Sequence, residues 1–208
     1  MNAKLKKQLD ESKQFFDSLP WEEESFYSDF LAQTYFFVCQ STRLLAKSIS
    51  TFGVDRDFLY KRFVAHLKEE NYHEKLALTD LKNLNLNIAD FSESPFTKTF
   101  WESQYYKIDI SRGTSLLGYI LFLEAIAVHC FDDSYELVKT RYGAKSANFM
   151  RVHIDEDPTH LDQALELINS LSDLEQEVIW ENFDQSAEIY HSILLKIFTK
   201  VKHLSNVA

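Results

Sequence analysis

Glycine and proline are scarce, four and three in 208 residues. Folds rich in β-structure need many tight turns, so this scarcity argues against them and for long helices. Cysteine is scarcer still. Cys39 and Cys130, neither in a CxxC pair, can build neither a disulfide framework nor a zinc knuckle, and both are expected to be buried and reduced. Basic residues are outnumbered, 22 Lys and Arg against 32 Asp and Glu. The formal net charge of -10 and a pI near 5.2 argue against nucleic acid or an anionic membrane surface as a partner. No eighteen apolar residues run together, and the opening MNAKLKKQLDESKQFF carries lysines without the apolar stretch of a signal peptide. The expectation is a cytoplasmic protein with no membrane contact. What is present is 45% hydrophobic residues, enough for one domain over residues 1–208 to bury a core and a pocket.

Helical periodicity runs through most of the chain. Residues 3–18 are amphipathic, with Leu5, Leu9, Phe15 and Phe16 on the apolar side and Pro20 as the stop. From 22 to 50 apolar residues recur at helical spacing until Gly53, and Glu22, Glu23 and Glu24 suit the positive end of that helix. Asp55 is placed to cap a helix continuing to about Leu84. A polar loop over 84–94 leads to Ser94-Pro95, which opens a short aromatic helix. An apolar helix follows, closed by Tyr142-Gly143, and Phe149–Ile168 forms the next. Pro158 should kink that helix or restart it with Asp157 as cap. The final segment, 173–201, offers Leu174, Val178, Ile189, Ile193, Leu194, Ile197 and Phe198 to the core. The sum is an all-α bundle of about seven helices.

The residues with chemistry gather in three of these segments. His153, Asp157 and His160 are spaced i, i+4, i+7, and at about 100° per residue they project from one side of a helix. Two imidazoles and a carboxylate suit iron or manganese better than structural zinc, which favours thiolates. A solvated face, like neighbouring Asp155 and Glu156, is the competing reading. His66, Glu69 or Glu70, and His73 share one side of the 55–84 segment, and Glu70-x-x-His73 is the spacing by which di-iron carboxylate bundles present a carboxylate beside an imidazole. There too an exposed charged face, with Lys68, Glu69, Glu74 and Lys75, competes. Glu124 stands alone in an apolar run from Leu116 to Val128. A carboxylate buried without a partner costs several kcal/mol, so it should meet a metal, a cation or a proton. His129, about 140° further round, should not share its face. His191 and His203 have no acidic partner at ligand spacing and read as ordinary surface or packing residues.

In order, Glu70/His73, then Glu124, then His-x3-Asp-x2-His, this constellation resembles the haem-oxygenase-like di-iron oxidases and oxygenases, a family that includes fatty-acid decarboxylases, N-oxygenases and a chlamydial death-domain-associating protein. The resemblance spans residues 20–200. It implies a haem-oxygenase-like bundle, a metal centre of Glu70, His73, Glu124, His153, Asp157 and His160, and two iron ions cycling between ferrous and ferric, with manganese as a substitute. It further implies O₂ as co-substrate, a small organic acid, amine or amino-acid-derived substrate, an external electron donor and a homodimer. Where some members place a Glu seven residues before the helix-three His, this chain has His66, so His66 and Glu70 both stand for the sixth ligand. Tyr35, Phe100 and Trp101 are candidates for a substrate-binding apolar wall. Two alternatives remain: a metal-free thiaminase-like enzyme with Cys130 as nucleophile, and a non-catalytic helical interaction scaffold. Haem is discounted, because residues 1–65 contain no histidine to serve as axial ligand.

Overall fold

The computed structural model describes the backbone of residues 3–205 and the side chains of 5–155 and 160–203. Among the described residues there are eight α-helices and no strand. These are α1 (Ala3–Asp17), α2 (Glu24–Ile49), α3 (Asp57–Glu69), α4 (Glu74–Asn83), α5 (Pro95–Ser111), α6 (Leu116–Tyr142), α7 (Asn148–Asn169) and α8 (Asp173–Ser205). Short 3-10 turns at Val54–Arg56, Ile88–Asp90 and Ala144–Ser146 complete the path.

The eighth helix, against about seven expected, comes from a break in the 55–84 segment. Tyr72 takes φ +80°, a left-handed conformation through which an α-helix cannot continue. Turn bonds close the break: His73 N–H donates to the Glu70 carbonyl (3.2 Å) and Lys75 N–H to that of Tyr72 (2.9 Å). The Tyr72 ring is exposed and lies under the Lys75 ammonium. Glu70 and His73 therefore sit on a turn between α3 and α4, which corrects the reading that placed both on one continuous helix.

The helix α6 is the axis of the bundle, packing on α7, α8 and α1 and touching α2 and α5. Gly118 explains how α8 comes so near it. A Cβ there would stand 2.0 Å from the Ile179 carbonyl oxygen and 2.8 Å from the Phe183 nitrogen, so only glycine lets the two backbones approach. Large side chains fill the space around this axis, among them Phe16, Trp21, Phe26, Tyr27, Phe30, Phe122 and Phe183, all buried. Their rings meet edge-on or stacked at centroid distances of 5.0–5.7 Å for Trp21 with Phe16, Phe26 and Phe30.

Two polar devices set helix ends. Ser94 Oγ accepts from the Thr97 N–H (3.0 Å) with Pro95 at the first helical position, as the Ser-Pro pair foretold. Asp80, fully buried on α4, accepts from the Phe149 N–H (2.8 Å) and from the Asn148 amide (3.1 Å), and so ties α4 to the start of α7. Burial pushes its carboxyl up to about 6, although these hydrogen bonds pull the other way.

Other expectations need adjustment. Glu23 is the N-cap of α2 without a side-chain cap bond, so only Glu24, in the first turn, acts as proposed for the triplet. Leu174 is exposed, not core, because it lies in the first turn of α8 before that helix reaches its neighbours. The backbone of α7 remains one helix through Pro158, with no restart at Asp157. No described helix is long and apolar enough to cross a membrane.

Candidate metal centre

The last turn of α3, the α3–α4 turn, the middle of α6 and the first half of α7 converge on one buried spot. His66 comes from α3 and Glu124 from α6, each only 4% exposed. His66 Nδ1 stands 3.7 Å from Glu124 Oε1 and 3.5 Å from Glu69 Oε2, while its Nε2 stands 3.6 Å from Glu70 Oε1. From this hub the donors divide into two lobes. In one, Glu69 Oε2 lies between His66 and His160, 3.7 Å from His160 Nε2, and the two rings are 5.8 Å apart. In the other, Glu70 Oε2 lies 3.6 Å from His73 Nδ1, and the His73 ring packs against that of His153 at 5.1 Å. His66, Glu70, Glu124 and His153 also share the wall of one cavity.

The structure thus brings together Glu70, His73, Glu124, His153, His160 and His66. The side chain of Asp157, the remaining proposed ligand, lies outside the described residues. Glu69, the alternative to Glu70 on the donor side of this segment and also part of the competing charged face, turns its carboxylate toward two imidazoles. Its i, i+3 spacing from His66 was the available signal. A hydrogen bond with His66 pulls its carboxyl down to about 2, helped by the charges of Arg62 and His160 and opposed by partial burial. Arg62 also donates to it directly, at 3.3 Å.

Two observations bear on whether this set fits a metal. The first is charge. Glu69, Glu70 and Glu124 crowd one imidazole, and three carboxylates so close repel one another unless cations lie among them. The second is orientation. His153 Nδ1 donates to the Phe149 carbonyl at 2.7 Å, which fixes the tautomer and leaves Nε2 with its lone pair, the arrangement usual for a metal-bound imidazole. A set of carboxylates and imidazoles without thiolate suits iron or manganese. Among the described residues, no three donors are drawn in closely enough to hold an ion as they stand. An ion with bonds of about 2.1 Å sets neighbouring donors about 3 Å apart, so the pairs would each close by about half an ångström.

Beside the donors lies an apolar cavity of about 60 Å³ between α2 and α6, closed by residues of α3, α7 and α8. Its wall is made by Phe37, Leu44, Leu45, Leu116, Ile120 and Phe131, with others of the same kind. The three residues expected to form this wall do not. Phe100 is buried behind it, its ring 4.8 Å from Tyr119 and 5.3 Å from Phe37. Trp101 is half-buried and donates its indole N–H to Glu93 (2.6 Å), and Tyr35 packs on Phe36, also outside the wall. The face of α2 that does line it, Phe37, Val38, Ser41, Leu44 and Leu45, carries the i, i+4, i+7 spacing in the sequence. Cys130 is completely buried, does not line the cavity, and has its thiol pushed up to about 12 by burial. At neutral pH it is no nucleophile. His191 is a packing residue as expected, 5.2 Å from the Phe15 ring, and burial lowers its basicity.

Among the described residues the chain is an all-helical bundle around an acid- and imidazole-lined centre. Residues 28–191 match the iron-containing redox enzyme family, and the chain belongs to it. No curated protein is significantly similar in sequence. Among solved structures, the chain is similar to a domain of unknown function with a haem-oxygenase-like fold from Shewanella denitrificans OS217 (TM-score 0.83, 16% identity, covering 99% of this chain and 95% of that one). It is also similar to a TenA homologue from Pseudomonas syringae pv. tomato DC3000 (TM-score 0.70, 14% identity, covering 94% and 91%). A TenA homologue from Pyrococcus furiosus follows with a TM-score of 0.62, 10% identity and coverage of 93% and 98%. At these identities the likeness is one of fold.

Proposed function

We propose that this member of the iron-containing redox enzymes is a non-haem di-iron oxidase or oxygenase that uses O₂ to oxidise a small organic molecule. The observation that carries the reading is the division of the donors into two lobes around His66, with Glu124 entering from an otherwise apolar helix. His66, Glu69 and His160 would hold one ion and Glu70, His73 and His153 the other. Glu124 would stand beside His66. Ferrous ions held there would supply the electrons that reduce O₂, with an external donor to replace them; manganese suits the same ligands.

The chain's own groups do the rest. The Phe149 carbonyl keeps the His153 proton on Nδ1, so Nε2 stays available as a donor. The apolar wall holds the substrate beside the cluster and keeps bulk water from it. The TenA-like alternative lacks a competent thiol, since Cys130 is protonated and outside the cavity. The test is O₂ consumption by ferrous-loaded protein. Wild type should consume O₂ faster than the same iron free in buffer, and Glu124→Ala and His153→Ala should each lower the rate at least a hundredfold. Equal rates in all three would sink the proposal.

A further inference from the structure

We infer that Asp80 is a positioning residue for the metal centre: from α4 it caps the helix that carries His153, and so fixes both the proton on that imidazole and its approach to His73. The inference rests on the reading of the Glu/His cluster as a metal centre.

The helix α7 has no cap of its own. Its N-cap residue is Ala147, whose methyl group can accept nothing from the first turn. The acceptor comes instead from α4, where the two Asp80 oxygens receive the Phe149 N–H (2.8 Å) and the Asn148 amide (3.1 Å). A carboxylate with no exposed surface is desolvated more heavily than a neutral serine or asparagine cap at position 147. What the buried carboxylate achieves, and a local cap could not, is to join α7 to another helix. Asn83, one turn further along α4, donates to the Lys145 carbonyl, so the connection leading into α7 is held at a second point.

Both ends of this link lead to donors. The helix α4 starts directly after His73, its N-cap residue, and runs without a break past Asp80 to Asn83. On the other side, Phe149 lies one turn before His153. Its carbonyl accepts from His153 Nδ1 at 2.7 Å, and its ring lies 4.3 Å from the imidazole. The circuit closes where the rings of His73 and His153 meet at 5.1 Å. Asp80 thus acts through Phe149 and through α4. Without its oxygens the Phe149 N–H loses its partner and the first turn of α7 is released, and with it the carbonyl that keeps the proton on Nδ1. The lone pair on Nε2, the one a metal needs, is then no longer held in place.

The test reads His153 by nitrogen-detected NMR in the metal-free protein at about pH 8, above the ordinary imidazole range. Wild type should carry the His153 proton on Nδ1 and show a contact between the His73 and His153 rings. A proton on Nε2 in wild type would overturn the inference without any variant. Asp80→Leu keeps the volume and removes both acceptors; it should move the proton mainly to Nε2 and lose the ring contact. Asp80→Asn, which retains one acceptor oxygen, should keep both signals. Wild-type signals in Asp80→Leu, or their equal loss in Asp80→Asn, would contradict the assignment. With ferrous iron, Asp80→Leu should bind the ion of the His73 lobe about 10- to 100-fold more weakly than wild type, and Asp80→Asn should match wild type. Equal affinity in all three would remove the role at the metal. The NMR arm contains no metal, so its outcome stands even if wild type takes up no iron; normal iron uptake in wild type with an unchanged His153 proton in Asp80→Leu removes this inference alone.

Discussion

A carboxylate on a greasy helix is tolerated only where something nearby neutralises it, and Glu124 meets a whole cluster. Glu124 lies 3.7 Å from His66, the imidazole that Glu69 and Glu70 also face. Glu124→Leu should therefore abolish iron uptake, and uptake equal to that of wild type would mean that Glu124 is not a ligand. Glu69 reports on the same cluster through pH. Its carboxyl is lowered from 4.5 to about 2 in the folded state. The folded state thus binds fewer protons than the unfolded chain between these values, and the contribution is complete above the ordinary carboxylate range and lost as pH falls toward 2. A carbon-detected NMR titration should find the Glu69 midpoint near 2, returning toward ordinary values in His66→Ala. Glu124 was legible because its apolar neighbours left it exposed as an anomaly. Glu69 was legible only as an alternative to Glu70, because Lys68, Glu74 and Lys75 beside it are what any solvated face contains, and the tertiary placement of His160 reveals which way it turns.

At the scale of elements, the sequence carried the long helices and lost the break between α3 and α4. The apolar period of residues 55–84 lapses between Leu67 and Leu76, but no proline or glycine marks the left-handed Tyr72. Pro158, expected to kink this helix or restart it, does not restart it, since α7 continues as one helix. Gly118 could be seen in the apolar run, but that it marks contact with α8 depends on the partner's position. The link that positions the two donor-bearing segments is Asp80, which joins α4 to the first turn of α7. Its carboxyl is raised from 3.8 to about 6. The folded state therefore holds more protons than the unfolded one across that window, and stability falls as pH rises from about 4 to 6 and levels off above. Asp80→Asn, which keeps one acceptor oxygen, should flatten that slope in denaturant unfolding measured from pH 4 to 7. A slope unchanged from wild type would show that another group is responsible.

For the whole molecule, scarcity of glycine and proline was enough for an all-α fold, and the order of donors along the chain was enough for the haem-oxygenase-like resemblance that the family match and solved structures bear out. The cavity was less legible. Its wall is set by which faces of α2, α6 and α8 meet, so the aromatic α5 segment drew attention while the quieter stripe from Phe37 to Leu45 does the lining. What the assembled bundle achieves is to bring donors from residues 66–73, 124 and 153–160 to one place at the end of an apolar chamber. Anaerobic ferrous titration with iron counted per chain tests whether this place holds two ions. Wild type should take up close to two irons per chain, with Glu124→Ala reduced to one or none. Wild-type protein that takes up no iron, or takes it up equally well without Glu124, would contradict it.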